Sequence, residues 1–161
     1  MELKIYKCMH CGNIIEVIED HGVPVICCGE PMKQFKAGET DGAAEKHVPA
    51  VAVEGDVIRV CVGEVAHPMT EEHHIAFIWL VTDKGVHRAV LNHTGAPEAV
   101  FHLAEGEKAE AVYEFCNLHG LWKTPSSAPP PRSWARWETS SPPRPSPRPA
   151  MYPPSPARPS P

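Results

Sequence analysis

Residues 48–65, Val48-Pro49-Ala50-Val51-Ala52-Val53-Glu54-Gly55-Asp56-Val57-Ile58-Arg59-Val60-Cys61-Val62-Gly63-Glu64-Val65, read as two β-strands joined by a tight turn at Glu54-Gly55-Asp56. In an extended chain alternate side chains share a face, so Ile58, Val60 and Val62 form one apolar surface. Further β-rich stretches follow outward from this pair: Ile75 to Thr82, Val86 to Leu91, Ala99 to Leu103 and Ala109 to Phe115. In the last of these Ala109, Ala111, Tyr113 and Phe115 alternate in the same way. Turns at Asp83-Lys84-Gly85 and Glu105-Gly106-Glu107 separate the runs. Short strands at this spacing, with no amphipathic helical pattern, predict an all-β protein built on an antiparallel sandwich.

Ahead of the sandwich, residues 1–37 carry Cys8, Cys11, Cys27 and Cys28, with short strands expected at Lys4 to Lys7 and Ile14 to Ile18. A segment this small rarely buries enough surface to fold unaided, so it needs a metal or a partner. Ala37-Gly38-Glu39-Thr40-Asp41-Gly42 reads as the boundary before a second domain, 38–124. Beyond Thr124 the composition changes abruptly: fourteen of the 19 prolines lie from Pro125 onward. Residues 125–161 are therefore expected to be a disordered Pro/Ser/Arg-rich tail with no means of building a core.

The first 124 residues hold ten Lys+Arg against nineteen Asp+Glu, a net charge of −9. That balance argues against a nucleic-acid platform and repels anions unless a local positive patch intervenes. The start, MELKIYKC, lacks the layout of a secretion signal, and the longest apolar run, Ile75 to Val81, is too short to cross a bilayer. A cytoplasmic protein without membrane or nucleic-acid partners is expected. In a reducing compartment its six cysteines are better suited to metals or a core than to disulfides.

Cys8-Met9-His10-Cys11 is a CxxC turn, answered by the adjacent pair Cys27-Cys28. Four thiolates about 2.3 Å from one ion sit at tetrahedral corners about 3.7 Å apart, close to the roughly 3.8 Å between neighbouring Cα atoms. Adjacent cysteines can therefore share an ion, and spacing alone is compatible with zinc or iron. The segments Tyr6 to Asn13 and Cys27-Cys28-Gly29-Glu30-Pro31-Met32 resemble the desulforedoxin-type domain at the front of desulfoferrodoxins. That resemblance implies an iron site, with zinc as the alternative, ligated by Cys8, Cys11, Cys27 and Cys28 and serving as an accessory electron-transfer centre.

A second constellation is spread through the sandwich: Glu45-Lys46-His47-Val48-Pro49, His67-Pro68-Met69, Glu71-Glu72-His73-His74 and Cys116-Asn117-Leu118-His119-Gly120-Leu121-Trp122-Lys123. Each lies at a strand end or loop, where a rigid scaffold can aim side chains at one point. Together they resemble the catalytic domain of superoxide reductases, from about Gly38 to Lys123, and that domain is an immunoglobulin-like β-sandwich. The resemblance implies a mononuclear iron with His47, His67, His73 and His119 as equatorial ligands and Cys116 as axial thiolate, the position opposite sulfur being open. It makes Glu45 the carboxylate that closes this position in the oxidised resting state. Lys46 becomes the cation that draws in superoxide and orders water for protonation.

The residue types suit that chemistry, since neutral imidazoles ligate ferrous iron without adding charge and an axial thiolate donates electron density. The implied function is one-electron reduction of superoxide to hydrogen peroxide by a homodimer re-reduced by a rubredoxin-like protein. A non-catalytic iron carrier and a superoxide dismutase are the rival readings. His74 departs from the large aromatic, often Trp, that family members carry there. Cys61 is expected to be a packing thiol, and His10, His21, His87, His93 and His102 match no ligand motif and are expected at the surface.

Overall fold

The computed structural model describes residues 2–128. Three short strands, β1 (Ile5–Lys7), β2 (Ile14–Glu16) and β5 (Lys33–Phe35), form a sheet in the order β2-β1-β5. A two-strand ladder, β3 (Ile26–Cys27) with β4 (Glu30–Pro31), carries the second cysteine pair. One helical turn, α1 (Ala44–His47), leads into seven strands: β6 (Pro49–Glu54), β7 (Val57–Val62), β8 (Ile75–Thr82), β9 (Val86–Val90), β10 (Glu98–His102), β11 (Ala109–Cys116) and β12 (Gly120–Pro125). They pair antiparallel as β10-β7-β6 and β12-β11-β8-β9. This is the expected all-β sandwich. Among the described residues no helix is long and apolar enough to cross a membrane.

The two sheets close on a core of Val51, Ile58, Val60, Val62, Ile78, Leu80, Phe101 and Val112, with Ile75 and Cys116 at its end. Ile58, Val60 and Val62 are fully buried, as their alternation predicts. A register shift where Phe115 pairs with Phe77 but Cys116 with Ile75 marks a bulge in the β8–β11 ladder. Bulges re-aim side chains beside functional sites, and this one turns Ile75 and Cys116 inward together.

The outer face of the four-stranded sheet is not solvated. Trp79, Val81, Ala111, Tyr113, Phe115 and Leu121 form a second cluster with Leu3, Ile5, Ile14 and Phe35 of the N-terminal segment. The Phe35 ring meets Phe115 edge-on at 5.4 Å, and the Lys7 ammonium lies 5.6 Å from the centre of the Phe115 ring. The N-terminal segment therefore has an apolar partner as well as its cysteine cluster, which answers how so short a stretch reaches a stable fold. The expected boundary segment is tied down too, Gly38 N–H donating to the Leu121 carbonyl at 2.9 Å.

Three expectations need correction. The Glu45-Lys46-His47 stretch is helical, where only strands and loops were expected. A strand occupies Gly120–Pro125, immediately after the ligand His119. Sheet bonding also runs past Thr124, the expected end of the fold: Pro125 pairs with Ala111, and Ser126 donates from N–H to the Glu110 carbonyl and from Oγ to the Ala109 carbonyl. The rest of the expected tail, 129–161, lies outside the described residues.

Candidate metal centre

His47 ends α1, His67 and His73 lie in the connection between β7 and β8, and Cys116 and His119 flank the turn from β11 to β12. The fold brings their ligand atoms within 4.8 Å of one another. His47 Nε2 is 3.0 Å from His119 Nδ1 and 3.2 Å from His67 Nε2. Two nitrogens bound at right angles to one ion, each about 2.1 Å away, would be about 3.0 Å apart. Two donors hydrogen-bonded to each other would leave the remaining imidazoles unexplained, whereas one shared ion accounts for all.

The rings form a square. Taken in the order His47, His67, His73 and His119, neighbouring ring centres are 4.8, 4.5, 4.9 and 4.6 Å apart, and adjacent planes cross at 69–77°. His47 and His73, across the square, are 6.3 Å apart with planes only 30° from parallel. Four imidazoles in a plane around one point give this pattern. Cys116 Sγ lies 3.6 Å from His119 Nδ1.

Two of the tautomers are set from behind. His47 Nδ1–H donates to the Ala43 carbonyl at 2.9 Å and His67 Nδ1–H to the Pro68 carbonyl at 2.6 Å, leaving both Nε2 lone pairs facing inward. His73 Nε2 is buried with no hydrogen-bond partner among the described residues. Such a nitrogen is costly to bury unless something else takes its lone pair, and a metal ion does. Trp122 stacks on His47 at 5.0 Å, and its indole N–H donates to the His119 carbonyl.

Burial lowers the pKa of His47 and His73 and brings His67 down to about 4, so these imidazoles are neutral at physiological pH and free to ligate. Burial pushes the Cys116 thiol up, opposed by the His119 and Leu118 backbone N–H groups. The site therefore favours the thiolate only when a cation compensates it. Five donors, neutral nitrogen and soft sulfur, fit ferrous iron.

Cys8, Cys11, Cys27 and Cys28 form a second cluster, also within 4.8 Å. Cys11 Sγ is 3.6 Å from Cys27 Sγ, which is 4.0 Å from Cys28 Sγ. These distances bracket the tetrahedral edge expected for four thiolates on one ion. Cys28 sits at φ +52° in the left-handed region, the backbone cost of adjacent ligands. Amide N–H groups of Cys11 and His10 lower the Cys8 thiol to about 6, whereas sharing with Cys11 raises Cys28 to about 12. Four neighbouring sulfurs cannot all ionise without a cation between them.

Glu45 and Lys46 are exposed and stand outside the ligand cluster. They project from α1 close enough for their charges to act on His47, and Lys46 acts on His73 as well. His74 does not join the ring: its Nδ1 meets the Thr70 carbonyl at 3.0 Å and its ring lies near half-buried His93. Cys61 faces away from the inner core, half-buried, its thiol raised to about 11 by burial. His10, His21 and His102 are exposed as expected. His87 is not a plain surface residue, because its Nε2 meets Glu107 at 2.8 Å.

The residue that motif reading missed is Glu114, fully buried two positions before Cys116 with neither carboxyl oxygen partnered among the described residues. Burial raises its pKa well above 4.5, so the folded chain keeps the proton that the unfolded chain releases. Its stabilising share is complete below about 4.5 and falls as pH rises, by at most about 1.4 kcal/mol per pH unit, until the folded pKa is reached. Glu114→Gln is expected to gain stability over the parent progressively as pH rises above about 4.5. Denaturant melts of both proteins across that range check it; parallel pH profiles would contradict it.

The family model Desulfoferrodoxin matches residues 39–125, and Desulfoferrodoxin, N-terminal domain, matches residues 1–35. A desulfoferrodoxin of Nitratidesulfovibrio vulgaris is 49% identical over 124 residues, covering 76% of this chain and 95% of the relative. A superoxide reductase of Thermococcus kodakarensis is 37% identical over 106 residues, 55% of this chain and 90% of the relative. The crystal structure of the superoxide reductase from Treponema pallidum superposes with a TM-score of 0.67 at 40% identity, covering 77% of this chain and 99% of that one. Both cysteine-bearing segments are thus matched in sequence and the whole described fold in space, and the chain belongs to the desulfoferrodoxin family.

Proposed function

We infer that this chain is a superoxide reductase, taking superoxide, one electron and two protons to hydrogen peroxide at an iron held by His47, His67, His73, His119 and Cys116. The observation that carries this reading is the square of four imidazoles with a buried cysteine sulfur beside it, in a chain whose relatives include named superoxide reductases. When bound, iron supplies a one-electron reductant whose electron density the Cys116 thiolate raises. The second cofactor is iron at the four-cysteine site, which serves as an accessory electron store.

The protein's own contribution is capture and protonation. Lys46 immediately precedes the ligand His47, and its charge also reaches His73, on a chain whose first 124 residues total −9. At about 0.15 M salt the screening length is about 8 Å, so distant carboxylates fade while a neighbouring ammonium still acts. Lys46 therefore draws the anion in and orders water for proton delivery, and Glu45 covers the site when no substrate is present. The electron arrives from a rubredoxin-like donor, and the protein works as a homodimer in the cytoplasm. A passive electron carrier has no use for an anion-steering lysine beside its metal, which disfavours that alternative.

Lys46→Ala is expected to slow the second-order reaction of the reduced protein with superoxide about tenfold or more, with both metals retained. Added salt should then raise the rate of the variant relative to the parent, because it screens mainly the repulsive acidic surface. Pulse-generated superoxide at several ionic strengths reads both effects. A variant matching the parent in rate and salt response would make Lys46 an ordinary surface charge. For the function itself, superoxide removal should stop once the electrons held by the two irons are spent when the donor is withheld; sustained removal without donor would indicate dismutation.

A further inference from the structure

Asn117, between the ligands Cys116 and His119, makes three hydrogen bonds to the backbone on either side of His73. Its Oδ1 accepts from the His74 N–H at 2.9 Å, its Nδ2 donates to the Glu72 carbonyl at 2.8 Å, and its own N–H donates to the His74 carbonyl at 3.1 Å. The amide orientation is fixed, since a backbone N–H can only donate and a carbonyl only accept. From the other side, Thr70 accepts the His73 N–H on Oγ1 at 3.1 Å and donates its own N–H to the His73 carbonyl at 2.9 Å. The loop bearing His73 has no strand pairing of its own before Ile75. Its placement against the Cys116 turn therefore rests largely on these contacts.

We propose that Asn117 is a positioning residue for the catalytic iron, its side chain fixing the His73 imidazole relative to the Cys116 thiolate by clamping residues 72 and 74. The proposal rests on the reading of His73 as an iron ligand. His47 and His67 are oriented by backbone carbonyls behind their own rings. For His73 the restraint acts on the backbone instead, and the ring's inward nitrogen, Nε2, is the one left without a partner. Removing the clamp should leave the other donors in place and cost His73 its alignment. Outer partners of metal ligands are worth about 10–100-fold in affinity.

The test is a double-mutant cycle on ferrous iron affinity, read anaerobically by competition against a chelator in the full-length protein, with iron at the four-cysteine site as an internal control of folding. Asn117→Ala should weaken catalytic-site binding about 10–100-fold and alter the visible thiolate-to-iron absorption. Added to His73→Ala it should weaken binding no further, because the residue it acts through is gone. Asn117→Asp, which keeps the acceptor for His74 and loses the donor for Glu72, should fall between parent and Ala variant. An equal loss from Asn117→Ala in both backgrounds, or none in the parent, would overturn the proposal. A His73→Ala protein with undiminished affinity would instead overturn the ligand reading beneath it.

Discussion

Cys116→Ser is expected to remove one of two bound irons and leave the other, while Cys28→Ser does the converse. The two clusters share no residue and are carried by different segments of the chain. At the catalytic centre the loss should be nearly complete, because the remaining donors are neutral imidazoles and the serine hydroxyl supplies no anion at neutral pH. Superoxide reduction should vanish with it. In Cys28→Ser the superoxide reaction of the separately reduced protein should persist. Metal analysis of anaerobically prepared protein checks both, and one shared metal lost in both variants would contradict the two-centre arrangement.

The second large effect is steric. Gly63 follows β7 at φ +85°, and a Cβ there would lie 2.6 Å from the carbonyl oxygens of both Lys46 and Val65. Both obstacles are backbone, so no side-chain adjustment relieves them. The segment after Gly63 is also what holds α1: the Glu64 and Val65 N–H groups donate to the Glu45 carbonyl at 2.7 and 3.1 Å, and the Gly63 N–H donates to the Val48 carbonyl at 3.2 Å. Gly63→Ala is therefore expected to cost about 2–4 kcal/mol, from left-handed strain together with the displaced backbone. The displacement falls on the turn carrying Lys46 and His47, so catalytic iron should be lost in proportion. Denaturant unfolding with iron counting checks it; unchanged stability would mean the close approach is relieved by a small shift.

The strands legible in the sequence were those with an alternating apolar pattern or a long run of β-branched and aromatic residues. Ile58, Val60 and Val62 alternate because the opposite face of β7 stays partly open, in the burial pattern of that strand. β12 escaped because Leu121 packs under the N-terminal sheet while Trp122 backs His47, so both faces are buried and alternation disappears. α1 escaped because four residues are too few to show a helical period. Of the alternating face read from sequence, Ala111, Tyr113 and Phe115 are covered by the N-terminal sheet, whereas a register shift between Ala109 and Ala111 leaves Ala109 packed against the inner core instead. Val112, Glu114 and Cys116, between them, are buried from the other side.

The site was more legible than the fold around it. Its ligand positions lie in short motifs at strand ends and loops, and the five side chains do converge. What the motifs could not carry was the supporting geometry. The stacking of Trp122, the carbonyls behind His47 and His67, and the clamp from Asn117 depend on backbone paths that no local spacing encodes. Glu114 gave a misleading signal, since a charged residue in a strand is ordinarily a mark of the solvated side.

The central claim is that the chain reduces superoxide and does not dismute it, and product stoichiometry separates the two. Fully reduced, anaerobic protein mixed with less than one equivalent of superoxide, with hydrogen peroxide and dioxygen both measured, should yield one peroxide for each superoxide consumed and no dioxygen. One peroxide and one dioxygen for every two superoxides would contradict the account.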